Sequence, residues 1–100
     1  MMNRPAVHPG EILADELNEL GLNASELSRR LHIPTNRVTQ ILRGQRSITA
    51  DAALRLGYFL ETGPELWLNL QRAYDLRVAE QTTGEEIRAT VRPFARPIPA

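Results

Sequence analysis

Asn36, Gln40 and Arg43 stand four and three residues apart, with Thr39 between them, and Thr35 and Arg37 complete the set. A side-chain amide can bond adenine through two hydrogen bonds, and a guanidinium can do the same to guanine. The chemistry offered by this spacing is therefore recognition of base edges. A helix over Thr35 to Leu42 or Arg43, projected at roughly 100° per residue, turns Val38, Ile41 and Leu42 to one side. Asn36, Thr39, Gln40 and Arg43 fall on the other, with Arg37 on the flank, and no large apolar side chain interrupts them. From Leu27 to Ala50 there is no acidic residue, whereas Arg29, Arg30, Arg37, Arg43 and Arg46 all lie there. From Glu11 to Glu26 the sign reverses, with Glu11, Asp15, Glu16, Glu19 and Glu26 and no basic residue. A net charge of zero thus conceals a dipole whose basic side can face phosphates.

Short helices are needed to position such a face. Helix 1 is expected to start near Pro9, with Glu11 favoured by the helix dipole. Leu13, Leu17 and Leu20 form its stripe, widened by Ile12, and Gly21 ends it as a left-handed cap. Helix 2 takes Ala24 to Leu31, with Asn23 as N-cap, Glu26 three residues on, and Leu27 and Leu31 facing inward. In the turn His32-Ile33-Pro34, proline cannot continue helix 2 and Ile33 can plug the angle before helix 3, which stops at Gly44. The amides of Ala24 and Ser25, at a positive helix end, and the side chains of Arg46 and Ser47, in a basic loop, suit phosphate contacts.

Helix 4 is expected to start at Thr49 or Asp51, with Ala53, Leu56, Phe59 and Leu60 buried, and Gly63-Pro64 breaks the chain. Helix 5 runs from Pro64 to about Ala79. Its wide stripe of Leu66, Trp67, Leu70, Ala73, Tyr74 and Val78 admits two readings. Either all of it is core, or Trp67 and Tyr74 support a partner surface. Beyond Gln81-Thr82-Thr83-Gly84, Ile87, Ala89 and Val91 alternate with polar residues at the period of a strand. Such a strand would have to pair with its copy in a second subunit or with a partner's sheet edge. A short helix using Ile87 and Val91 and a frayed tail before Pro93 are the competing readings, with the strand preferred. The expectation is an all-α, five-helix fold with a possible C-terminal strand across a dimer. Residues 1–80 form the helix-turn-helix domain and 81–100 an extension, while Met1 to Val7 is read as a loose arm in which Arg4 could touch a phosphate.

The 100 residues include no cysteine, which removes disulfides and thiolate metal sites and points to a reducing cytoplasm. All basic residues are arginine. His8 and His32 stand far apart, so no metal site and no cofactor is expected. The opening MMNRPAVHPG has no apolar core run, so a signal peptide is not expected, and no run approaches ~20 apolar residues. No acid–base or nucleophile constellation and no glycine-rich phosphate loop suggests an enzyme. RNA is disfavoured because the basic stretch has no aromatic side chain for stacking.

The helix-turn-helix resembles the Cro/repressor type, and three flanking blocks narrow it: HPGEIL at His8 to Leu13, RGQRSITADAALRL at Arg43 to Leu56, and PELWLNLQRAYDL at Pro64 to Leu76. Together they are similar to the HigA-type antitoxins of bacterial toxin–antitoxin modules. The resemblance implies a dimeric repressor that binds its own palindromic operator and neutralises, by direct binding, a ribosome-dependent toxin that cleaves mRNA. A transcriptional regulator with no toxin partner, or a protein antidote whose DNA surface is idle, are the alternatives. The acidic side of helix 1 is a candidate surface for a basic toxin, against the commoner meaning of a solvated face. Three positions depart from the Cro-type pattern. Ser28 stands where alanine is usual, His32 where glycine is common, and Pro34 at the customary N-cap of helix 3, which would make Thr35 the working cap.

Overall fold

Each break in the chain has a local chemical cause. In a computed structural model, which describes residues 5–99, the described residues form α1 (Pro9–Leu20), α2 (Ala24–Leu31), α3 (Thr35–Leu42), α4 (Ala50–Leu60) and α5 (Pro64–Thr90). Gly21 ends α1 at φ 68°, as expected of a left-handed cap. Asn23 and Glu26 form the reciprocal capping box of α2, with the Glu26 amide donating to Asn23 Oδ1 at 2.8 Å and the Asn23 amide to Glu26 Oε1 at 3.0 Å. Thr49 caps α4 through Oγ1, which accepts from the Ala52 amide. Gly63 at φ 81° and Pro64 at the first turn of α5 make the sharp corner between the last two helices. Gly57 is what allows that corner to close, since a Cβ there would lie 2.4 Å from the Gly63 carbonyl carbon.

The inward stripes meet in one core of Leu13, Leu17, Leu27, Leu31, Val38, Ile41, Ile48, Ala52, Ala53, Leu56 and Trp67. Leu22, Ile33, Leu42, Phe59, Leu60 and Leu70 pack around it. Trp67 is 1% exposed and its indole Nε1–H donates to Thr62 Oγ1 at 2.9 Å. Of the two readings of the α5 stripe, Trp67 therefore takes the core one: its large apolar surface is already covered from within the chain, and it is no partner surface. Tyr74 is half-buried and meets the ring of His8 edge-to-face, with centroids 4.8 Å apart.

The C-terminal strand is not formed. Ile87 and Ala89 are helical, Val91 is the C-cap, and α5 passes without a break through Gln81-Thr82-Thr83-Gly84, well beyond Ala79. The physical reason is that propagating an anchored helix needs no new nucleus, whereas a strand needs a partner edge. The threonine hydroxyls of Thr82, Thr83 and Thr90 donate back to the carbonyls of Val78, Ala79 and Glu86, so they do not compete with the helix. Pro93 sets the end: it disfavours helical geometry at Arg92, and the chain leaves the helix after Thr90. Residues 91–99 have no regular secondary structure. Arg4 of the expected N-terminal arm lies outside the described residues.

Candidate nucleic-acid interface

The turn between α2 and α3 sets the pose of α3. His32 adopts φ 58° and ψ 45°, and its amide and that of Ile33 close the end of α2 onto the Arg29 and Ser28 carbonyls. Its ring is exposed, as a turn residue's would be. Ser28 is buried and bonds twice, donating to the Ser25 carbonyl at 2.8 Å and sharing a 2.9 Å hydrogen bond with Thr35 Oγ1, which joins the two helices side chain to side chain. Pro34 is the N-cap of α3 and supplies no side-chain bond. Thr35 is therefore not the cap. It is the first helical residue with its hydroxyl turned to Ser28, and the amides of Arg37 and Val38 bond the Pro34 carbonyl, so the start of α3 is not displaced by a residue.

With α3 so fixed, Val38 and Ile41 are buried and Leu42 half-buried. Asn36 and Arg43 are exposed and make no side-chain hydrogen bond among the described residues, leaving both forks open to an incoming ligand. Thr39 is half-buried and donates its hydroxyl to the Thr35 carbonyl at 3.0 Å, which leaves its methyl group and a lone pair for contacts. Gln40 is half-buried, and its Oε1 accepts from Arg46 Nε at 2.8 Å. Ser47, the residue after Arg46, is exposed. The amides of Ala24 and Ser25 begin α2 next to the capping box, which engages Asn23 and Glu26 and not them.

Arg37 differs from the others. Its guanidinium donates to Thr49 Oγ1 at 3.0 Å and lies 3.4 Å from Asp51 Oδ2, so it fastens α3 to the start of α4. Asp51 also accepts from Arg55 Nε at 2.9 Å, and Arg55 in turn donates to the Leu31 carbonyl at 2.8 Å, closing the end of α2. The hydrogen bond from Arg55, reinforced by the charges of Arg55 and Arg37, holds the Asp51 carboxyl below its ordinary value. Arg30 lies over the Phe59 ring, 5.3 Å from its centroid. Of the five arginines between Leu27 and Ala50, then, two brace the scaffold, and Arg29, Arg43 and Arg46 remain for a polyanion.

Besides Arg55, three supporting residues escaped the reading of the sequence. His8 is buried and caps α1: its Nδ1 accepts from the Gly10 amide at 2.9 Å while its own amide donates to Glu11 Oε2 at 3.3 Å. The glutamate three residues after His8 was the visible sign of a capping box, with histidine in place of the usual serine or asparagine. Gly10 lets α1 meet the end of α3 backbone to backbone, since a Cβ there would stand 1.9 Å from the Ile41 carbonyl oxygen. Gln71, also buried, accepts from the Ile48 amide at 2.8 Å and donates to Asp75 Oδ1 at 2.9 Å, tying the basic loop to α5. Its position one turn after Trp67 on an apolar stripe was the available signal.

The chain matches the helix-turn-helix family over residues 13–67. It is 51% identical over 78 residues to virulence-associated protein I of Dichelobacter nodosus, covering 77% of this chain and 72% of that one. Among solved structures, a HigA-family addiction-module antidote protein from Coxiella burnetii superposes with a TM-score of 0.89 at 54% identity, covering 91% of this chain and all of the other, 100%. The Pseudomonas aeruginosa antitoxin HigA, solved with the higBA promoter, gives a TM-score of 0.88 at 39% identity over 91% of this chain and 100% of that one.

Proposed function

Because the chain belongs to the HigA-type antitoxins of the helix-turn-helix family, we propose that it is an antitoxin and transcriptional autorepressor acting in the cytoplasm by binding and not by catalysis. A homodimer sets two copies of α3 about one helical turn of DNA apart, ~34 Å, in successive major grooves of a palindromic operator. Symmetry of the operator follows from symmetry of the protein. Asn36, Thr39 and Gln40 face the bases and exposed Thr35 begins the same DNA-facing helix, while the Ala24 and Ser25 amides, Arg46 and Ser47 hold phosphates and Arg43 reaches either. Arg37 serves this face from behind, through Asp51 and Thr49. The DNA-binding unit is residues 1–80. The extension from residue 81, with Ile87, Ala89 and Val91 exposed on it, is left with Tyr74 for a second copy or for the toxin. That toxin, an mRNA-cleaving protein, is neutralised by direct binding.

The observation that carries this reading is the uninterrupted polar face of α3, braced from α1, α2 and α4, with exposed Arg43 at its end and exposed Arg46 in the loop that follows. A titration of the duplex upstream of the protein's own gene against a scrambled duplex, at two salt concentrations, tests it. Tight, sequence-dependent binding of two subunits per site, weakening linearly in log salt, is the expected outcome. Equal and weak binding to both duplexes would leave only electrostatic attraction and overturn the repressor function.

A further inference from the structure

Gln40 and Arg46 belong to different elements, the outer face of α3 and the loop after it, yet the Arg46 Nε–H donates to Gln40 Oε1 at 2.8 Å. A guanidinium nitrogen only donates, so this bond decides which end of the Gln40 amide is oxygen: Oε1 turns toward Arg46, and Nε2 with its two protons turns away. An amide with no such partner turns over freely and offers donor and acceptor in either order, which blurs its choice of base. Oε1 retains a second lone pair, and the remaining guanidinium N–H groups of exposed Arg46 stay open to a phosphate.

Building on the assignment of α3 as the base-reading helix, we propose that Arg46 is a specificity-determining positioning residue, which fixes the amide of Gln40 for one base pair while its terminal nitrogens meet the backbone. A phosphate contact alone carries no sequence information. Through this bond it acquires some, because Gln40 is aligned only by an arginine that the backbone has itself placed. The register of the duplex and the reading of one base are thereby coupled.

The test uses the full chain and Gln40→Ala, Arg46→Ala and the double variant, titrated against the upstream duplex, a scrambled duplex and a set in which each operator base pair is replaced in turn. Arg46 is exposed and Gln40 only half-buried, so the variants are expected to melt as the parent does. Gln40→Ala is expected to lose roughly five- to a hundredfold on the operator, little on scrambled DNA, and to become indifferent at one base pair per half-site. Arg46→Ala weakens binding to every duplex, more on the operator, and relaxes preference at that same base pair alone. The double variant discriminates there no worse than Gln40→Ala, the non-additivity expected of two residues acting as one unit. Arg46→Ala losing the same factor on operator and scrambled DNA, with every base preference intact, would overturn the proposal and leave the repressor function standing. A parent protein that does not distinguish operator from scrambled DNA would overturn both.

Discussion

Asp51 is a small carboxylate with a large share in the pose of α3, since it faces Arg37 on one side and Arg55 on the other. Its pKa is lowered in the folded chain, so the stabilisation it brings is present above the ordinary aspartate value of 3.8 and is lost as pH falls through the lowered one. Asp51→Asn should therefore flatten the acid limb of a stability–pH profile measured by urea unfolding, with only a small loss at neutral pH because the group is exposed. Gly10 is the opposite case, a residue with no chemistry and no freedom. Gly10→Ala would push a methyl group into the Ile41 carbonyl, and a loss of about 3 kcal/mol or more is expected. At about 4–8 °C per kcal/mol for a chain of this size, thermal unfolding should register it clearly. The polar outer face of α3 was legible because residue type and helical period together mark it. The brace behind it was not: nothing local tells that Arg37 turns to Asp51, or that Gly10 is needed for a helix thirty residues later in the chain.

At the scale of elements, the first four helices were legible to within a residue or so, because each carries its own start and stop chemistry: Asn23 with Glu26, Gly21, Pro34, Thr49. The fifth was misjudged at its far end. Thr82, Thr83 and Gly84 look like a break when only local preference is weighed, and the alternation of Ile87, Ala89 and Val91 looks like a strand. Neither weighs the fact that Trp67, Leu70 and Gln71 have already anchored the helix upstream. From Ala79 to Thr90 the side chains are exposed, apart from Gly84, whose cover comes from Glu80 and Arg88 of the same helix, themselves ion-paired across it. This half of α5 gains nothing from the core and should melt on its own. Gly84→Ala meets only the flexible ends of Glu80 and Arg88, which can swing aside, and should stabilise the segment by about 1 kcal/mol. Slower amide hydrogen exchange within 79–90 is expected, with the unfolding midpoint of the core unchanged. A joint shift of both would mean that the segment is coupled to the core after all.

Across the whole molecule, that helix, with residues 91–99 beyond it, accounts for much of the elongation. At about 1.5 Å per residue, its 27 residues extend roughly 40 Å, and the chain spans 59 × 32 × 22 Å. Its radius of gyration is 17.9 Å, against about 13 Å expected for a compact chain of 100 residues. A molecule of this outline tumbles and migrates as though it were heavier than it is. On a sizing column the single chain should elute well ahead of a spherical standard of 11.3 kDa, while static light scattering returns the mass of whichever assembly is present. Elution with the spherical standard would mean that the far half of α5 folds back in solution. Shape and stoichiometry thus mimic one another in this protein, and the number of subunits on an operator has to be counted by mass, because an elution volume reports the length of one helix as readily as the presence of a second chain.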